Sequence, residues 1–80
     1  FNSTTAIAFT VPEGGNVRLQ VYNIAGQKVR ELVSGYLSTG SHVISWNGMN
    51  EEGRKVSSGS YFARFESAHE IMTVRVSYLK

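Results

Sequence analysis

Short runs of alternating apolar and polar residues, separated by glycine-rich turns, dominate this chain. Ile7, Phe9 and Val11 alternate with small or polar neighbours, and residues 17–22 repeat the pattern with valine or leucine at every second position. Side chains of a β-strand point alternately to the two faces of a sheet, so a period of two places the apolar set on one buried face. No stretch of useful length shows the 3.6-residue period of a helix. The sequence therefore predicts an all-β protein.

Seven of these runs predict strands. The segments between them are rich in glycine, asparagine and serine, which favour tight reversals of the chain. Seven short strands at fairly regular spacing predict a seven-stranded antiparallel Ig-like β-sandwich. The predicted strands are residues 5–11, 17–22, 27–33, 36–38, 42–46, 60–67 and 71–79. The predicted core residues are Val17, Leu19, Val21, Ile44, Trp46, Phe65, Val74 and Val76.

The composition restricts the classes of protein to which the chain can belong. Its 80 residues suffice for one domain, and the absence of cysteine excludes disulfide staples and thiolate metal ligands. Eight basic residues stand against six acidic ones and are spread along the chain, which argues against a nucleic-acid partner. No apolar run reaches the roughly 18 residues of a transmembrane segment. Because the sequence begins abruptly at Phe1, we expect residues 1–80 to be a single domain excised from a larger protein.

The side chains that enzymes use for catalysis are few and poorly placed. There is no aspartate, and His42 and His69 are the only histidines. A nucleophilic serine would therefore lack the aspartate that usually orients a histidine base. Glu51 and Glu52 are adjacent, whereas paired catalytic carboxylates face each other across a cleft. We therefore expect that the domain is not an enzyme.

The loop from Asn47 to Gly53 faintly resembles a calcium-binding loop. It offers two asparagines and two consecutive glutamates, whereas calcium is usually held by several carboxylates among six to eight oxygen ligands. We interpret the loop as a turn, and we expect no metal and no cofactor.

The single tryptophan, Trp46, has two interpretations. Carbohydrate-binding modules stack sugars on exposed aromatic rings, and Trp46, Tyr36 and Tyr61 would provide such a platform. A buried tryptophan instead fills a core, where it removes about 200 Å² of surface from water. In a sandwich this small we favour the core position.

Three blocks of sequence resemble the C-terminal sorting domain of proteins carried by the bacterial type IX secretion system. The first block is Phe-Asn-Ser-Thr-Thr-Ala-Ile at residues 1–7, and the second is Val-Tyr-Asn-Ile-Ala-Gly-Gln-Lys-Val at residues 21–29. The third runs from Trp46 through Ser-Gly-Ser-Tyr-Phe at residues 58–62. The same pattern resembles the related Ig-like domain of the flagellar hook-capping protein.

The resemblance implies a function and a set of residues. Residues 1–80 would be a single Ig-like C-terminal accessory domain excised from a larger exported protein. A sorting domain directs an exported cargo through the outer membrane to the cell surface or medium. Its partners would be the outer-membrane secretion machinery and a covalently linked upstream cargo domain. The last strand would carry recognition through Arg75, Ser77 and Lys80. The motif residues that serve the core or the turns would be Gly26, Trp46, Asn47, Gly48, Gly53, Gly59 and Tyr61.

A second function is consistent with the same pattern. The domain would then be a structural or carbohydrate-binding Ig-like accessory module of a secreted hydrolase or of an assembly similar to a flagellar cap. Sorting requires the domain to lie at the extreme C-terminus of its parent protein, whereas a structural module can lie anywhere.

Overall fold

The computed structural model describes residues 4–80, and within them the chain forms six strands in two sheets. One sheet pairs β1 with β4, and the other has the order β3-β2-β5-β6. Every pairing is antiparallel. The all-β, two-sheet architecture agrees with the predicted sandwich. The strands are β1 Thr5–Val11, β2 Gly15–Tyr22, β3 Lys28–Leu37, β4 Gly40–Trp46, β5 Gly59–Glu66 and β6 Ile71–Tyr78.

The predicted number of strands is wrong, because the segments at 27–33 and 36–38 form one strand, β3. The sequence Ser34-Gly35 predicts a turn, yet Gly35 pairs with Val17 and the ladder continues to Leu37. Gly35 has a φ of 144°, a backbone conformation that residues with a Cβ rarely adopt. Its lack of a side chain therefore lets the strand pass through a point where the sequence alone indicates a break.

The core lies between the two sheets and contains six of the eight predicted residues. Ile44 is half-buried and packs against this core, whereas Val74 is 46% exposed, so the prediction for Val74 is wrong. The exposure of Val74, on β6, follows from a difference in layer size, since two strands cannot cover the whole inner face of four. The buried apolar residues are Ile7, Val11, Val17, Leu19, Val21, Trp46, Tyr61, Ala63, Phe65, Val76 and Tyr78.

The position of β1 determines which part of the larger sheet is left open. The Thr5 hydroxyl donates a hydrogen bond to the Ser77 carbonyl at 3.2 Å, so β1 begins beside the C-terminal end of β6. Further along β1, the Phe9 ring lies 5.1 Å from the ring of Phe65 on β5. β1 therefore runs away from the edge strand as it proceeds, and the N-terminal half of β6 is left without a covering strand.

Candidate functional site

Three aromatic rings pack together at one end of the sandwich. The Trp46 ring centroid lies 5.1 Å from that of Tyr61 and 5.2 Å from that of Tyr78. All three residues are buried, with exposed fractions of 0%, 7% and 2%. The Trp46 indole donates to the Met49 carbonyl at 3.0 Å, and the Tyr61 hydroxyl donates to the Ser57 carbonyl at 2.6 Å. Trp46 and Tyr61 therefore belong to the core, and they offer no platform for a sugar; Tyr36 is exposed.

Asn47 and Gly48 shape the chain that leaves this aromatic cluster. The Asn47 side-chain oxygen accepts a hydrogen bond from the Met49 amide at 3.1 Å. Gly48 has a φ of 77°, and a Cβ at this position would overlap the ring of Tyr78. The Trp-Asn-Gly motif is thus a packing device: the tryptophan fills the core, and the glycine lets the backbone pass directly over a buried tyrosine.

The loop that follows is organised around Asn50. Its side-chain oxygen accepts hydrogen bonds from the Glu52 and Arg54 amides, both at 3.0 Å, while its carbonyl accepts one from Gly53. This is the local bonding expected of an asparagine turn. Within residues 4–80 no three His, Cys, Asp or Glu side chains gather in a way that could hold a metal ion.

The second resemblance block forms a turn of similar design between β2 and β3. The Asn23 side-chain oxygen accepts hydrogen bonds from the Ala25 and Gln27 amides at 3.0 Å. Gly26, at a φ of 81°, donates its own amide to the Asn23 carbonyl. Gly53 and Gly59 also have positive φ values, in the loop and at the start of β5. The first resemblance block begins with residues 1–3, which lie outside the described residues.

The three residues predicted to carry recognition are exposed on or just beyond β6. The Arg75 guanidinium donates to the Ser60 hydroxyl at 3.2 and 2.8 Å. Ser77 shares the outer face of the sheet with Arg75, since the two are separated by one residue. Lys80 follows the strand, and its backbone amide donates to the Ser58 hydroxyl at 3.0 Å. The structure thus places Arg75 and Ser77 on one surface and Lys80 at its end.

Exposed apolar side chains lie on the same strand, and the sequence reasoning missed them. Ile71, Met72 and Val74 are 55%, 38% and 46% exposed. The alternating pattern of β6 predicts that Met72 and Val74 point inward, and they do share a face with the buried Val76. The pattern carries no information on how far the opposite sheet extends. The candidate functional site is therefore the N-terminal half of β6, together with the charged residues beside it.

Two ionisable groups elsewhere have shifted pKa values with clear causes. A hydrogen bond from the Gln20 amide at 2.9 Å lowers the pKa of the Glu31 carboxyl, and the charges of Arg18 and Lys28 act in the same direction. Burial raises the pKa of the Tyr61 hydroxyl, and the neighbouring Tyr78 adds to that effect. Both groups interact with neighbouring residues of the folded domain, and neither lies on β6.

The architecture and the comparison with a known protein family agree on the class of fold. The two-sheet antiparallel fold is consistent with an Ig-like β-sandwich. The family model of the FlgD Ig-like domain matches residues 1–70, and the chain belongs to this family.

A solved structure agrees with this assignment. The crystal structure of FLGD from P. aeruginosa matches with a TM-score of 0.71 and 22% identity, covering 92% of this chain and 58% of that one. This chain thus spans little more than half of the matched protein. No curated protein sequence matches. In the described residues no helix is long and apolar enough to cross a membrane.

Proposed function

We propose that this domain is a non-catalytic structural module of a larger extracellular assembly, of the kind that a flagellar hook cap represents. The observation that carries the proposal is the match of the FlgD Ig-like domain model to residues 1–70. The matched crystal structure supports the same fold over most of the chain. Because that structure is longer than this chain, the module would work as one part of a larger protein.

The use that the fold makes of its distinctive residues supports a structural role. Trp46, Gly48 and Tyr61 are engaged in packing, and Asn47 and Asn50 bond to the backbone of their own turns. A rigid scaffold needs such residues, whereas a catalytic site needs side chains that are free to meet a substrate. The motif therefore has a sufficient explanation in the stability of the sandwich.

Protein sorting by a type IX secretion system is a second candidate function. The exposed Arg75, Ser77 and Lys80 favour it, because a charged last strand at a sheet edge is accessible to a recognition partner. The partners would then be the outer-membrane secretion machinery and the covalently linked cargo. The protein would be found at the cell surface or in the medium.

Deletion of residues 1–80 from the full-length parent protein in its own host separates the two functions. If the domain is a structural module, the shortened parent should still be exported but should no longer sediment with a high-mass extracellular assembly. Retention in the periplasm would support sorting instead. Unchanged sedimentation would contradict the structural proposal.

A paired substitution, Ser77→Ala with Lys80→Gln, controls for loss of the whole fold. Both side chains are exposed, so the change should alter the stability of the domain by less than about 0.5 kcal/mol. A structural module should tolerate this change and remain assembled. Loss of export with an intact fold would favour the sorting function.

A further inference from the structure

We propose that the free edge of β6 is a docking site for an extended peptide segment in which acidic and apolar residues alternate. The segment would add as a fifth strand to the four-stranded sheet, next to residues 71–75. This site does not depend on the structural role proposed above, because it concerns a surface and the chemistry of its ligand rather than the assembly to which the parent belongs.

The direction of the backbone groups along β6 identifies the free edge. In an antiparallel strand, the amide and carbonyl of one residue point to the same side, and successive residues alternate. The Ser67 amide donates to the Glu70 carbonyl across the β5–β6 turn, and the Lys80 amide donates to the Ser58 hydroxyl. The backbone groups of even-numbered residues therefore point toward β5. The backbone groups of odd-numbered residues then point away from β5, toward the free edge. The hydrogen bond from the Thr5 hydroxyl to the Ser77 carbonyl agrees with this direction.

Three residues therefore present both an amide and a carbonyl to a partner. The carbonyl of Ser77 already accepts the Thr5 hydroxyl, whereas Ile71, Thr73 and Arg75 make no outward backbone hydrogen bond within the described residues. An unpaired row of this kind is a template for strand addition.

The opposite edge of the same sheet is protected. Its strand, β3, pairs with β2 through two register shifts, which twist and bend an edge. The loop before β5 also bonds to it, since the Glu51 amide donates to the Val29 carbonyl at 3.1 Å. No comparable bulge or loop contact covers residues 71–75 of β6 in the described structure. This contrast selects β6 as the docking edge.

The side chains beside the free edge specify an apolar inner face for the ligand. Met72 and Val74 point toward the other sheet but remain 38% and 46% exposed. An added strand would place every second side chain next to them, where apolar groups would remove this surface from water.

The outer face of the edge is positively charged. Arg75 lies on this face, and Arg64 lies on it opposite Thr73. The contacts between basic side chains and carboxylates in the described residues are Arg30–Glu51 and His69–Glu13, so neither Arg64 nor Arg75 has a carboxylate partner. Glu66 lies opposite Ile71 at the other end of the free edge. Carboxylates on the outer face of the ligand would therefore bind near Thr73 and Arg75.

Charge complementarity also argues against a second copy of this chain as the occupant. Arg75 lies on the outer face of this edge, so antiparallel pairing of two β6 edges would place two guanidinium groups on the same face of the joined sheet. A segment in which acidic and apolar residues alternate would bond to the free backbone groups of the edge. It would also cover the exposed apolar side chains of the inner face and place carboxylates beside the arginines of the outer face.

The test uses the 80-residue chain and a short synthetic peptide of alternating glutamate and valine, labelled with fluorescein. Its affinity is measured by fluorescence anisotropy, with a peptide of alternating lysine and valine as the comparison. The glutamate peptide should bind more tightly, and added salt should weaken it because the charges are exposed. Equal binding of the two peptides, or no binding of the glutamate peptide, would overturn the proposal.

A charge reversal, Arg75→Glu, sharpens the test. It replaces an attraction with a repulsion and should weaken binding of the glutamate peptide about tenfold. Arg54→Glu makes the same change in net charge on the exposed loop before β5 and should change the affinity by less than about twofold. If both variants lose affinity equally, binding follows net charge alone and the assigned site is wrong.

Amide hydrogen exchange reports the register of the added strand. The bound peptide should slow exchange at Ile71, Thr73 and Arg75, whereas Met72 and Val74, which already bond to β5, should change little. Binding without this alternating protection would exclude strand addition. Protection of the same amides without peptide, accompanied by a dimer in sedimentation, would assign the edge to a second copy and overturn the proposal.

Discussion

The two halves of β6 share one alternating pattern and yet meet different surroundings. Val76 and Tyr78 in the C-terminal half are 6% and 2% exposed, whereas Met72 and Val74 in the N-terminal half are 38% and 46% exposed. All four point toward the smaller sheet. The difference arises because β1 passes beside Ser77 and then runs away from β6. A period of two thus determines which face a side chain is on, and the extent of the opposite layer decides whether that face is buried.

The covered half belongs to the aromatic end of the sandwich, and the open half forms part of the free edge. The covered half is stabilised by close packing of Trp46, Tyr61 and Tyr78, in which small changes of shape are costly. The open half has few neighbours and should tolerate substitution while remaining accessible to a partner. Stability and binding are therefore expected to depend on different residues of the same domain.

Trp46→Ala should have the largest effect on stability. The indole is completely buried and contacts both tyrosines, so its removal should lower the free energy of unfolding by about 3–5 kcal/mol. Chemical denaturation followed by circular dichroism measures the change. An effect below about 1 kcal/mol would mean that the aromatic end does not dominate the core.

Gly48→Ala tests the close passage of the backbone over Tyr78. The left-handed backbone alone should cost about 1–2 kcal/mol, and the overlap with the tyrosine ring should add to it. Gly53→Ala is a matched control, because Gly53 has a φ of 79° and open space around its missing Cβ. Equal losses of stability in the two variants would show that contact with Tyr78 is unimportant.

A pair of substitutions within β6 tests the comparison directly. Val76→Ala should lower the free energy of unfolding by about 2 kcal/mol, since it removes buried methyl groups. Val74→Ala, two residues away on the same face, should cost less than about 1 kcal/mol. Similar losses at both positions would imply that the N-terminal half of β6 is covered in solution.

The sequence predicted the strands well where alternation and turn residues agree. The alternation at residues 5–11 predicts a strand with the bounds of β1. The break predicted at Ser34-Gly35 is wrong, because a glycine with an unusual φ also fits inside a strand. The pattern at 71–79 indicated the correct face for Val74 but not its exposure, which depends on the path of β1.

The candidate site was predictable only in part. Arg75 could be placed on the outer face of the last strand from its phase alone. The free edge could not be predicted, because the sequence contains no direct sign of the order of strands in a sheet. β6 is an edge strand because β5 is its one neighbour in the four-stranded sheet. Tyr78 likewise joins the aromatic cluster through packing across the two sheets. The sequence signal for this position is that Tyr78 lies two residues after Val76 and so shares its face of the strand.

The hydroxyls of Tyr61 and Tyr78 should have opposite effects on stability. The Tyr61 hydroxyl donates to the Ser57 carbonyl, whereas the buried Tyr78 hydroxyl has no hydrogen-bond partner among the described residues. Tyr61→Phe should therefore lower the free energy of unfolding by about 1 kcal/mol, and Tyr78→Phe should leave it unchanged or raise it by a similar amount. Thermal and urea unfolding measure both changes. A loss for Tyr78→Phe as large as that for Tyr61→Phe would contradict the contrast.

Alkaline unfolding provides the smallest and most specific test of the aromatic end. Burial raises the pKa of Tyr61 above the ordinary value of 10.0, with a further contribution from Tyr78. The folded state therefore keeps the Tyr61 proton at a pH where the unfolded state has lost it. The resulting stabilisation is fully present below about pH 10, the unfolded pKa, and is lost as the pH rises through the folded pKa.

Tyr61→Phe should remove this contribution, so that its stability declines less steeply above pH 10 than that of the wild-type chain. The measurement is urea unfolding at a series of alkaline pH values. Tyr36→Phe is the matched control, because that ring is 69% exposed, and it should keep the wild-type profile. If Tyr61→Phe also keeps the wild-type slope, the hydroxyl reaches solvent in the folded state and the aromatic end is less tightly closed than the packing of its rings indicates.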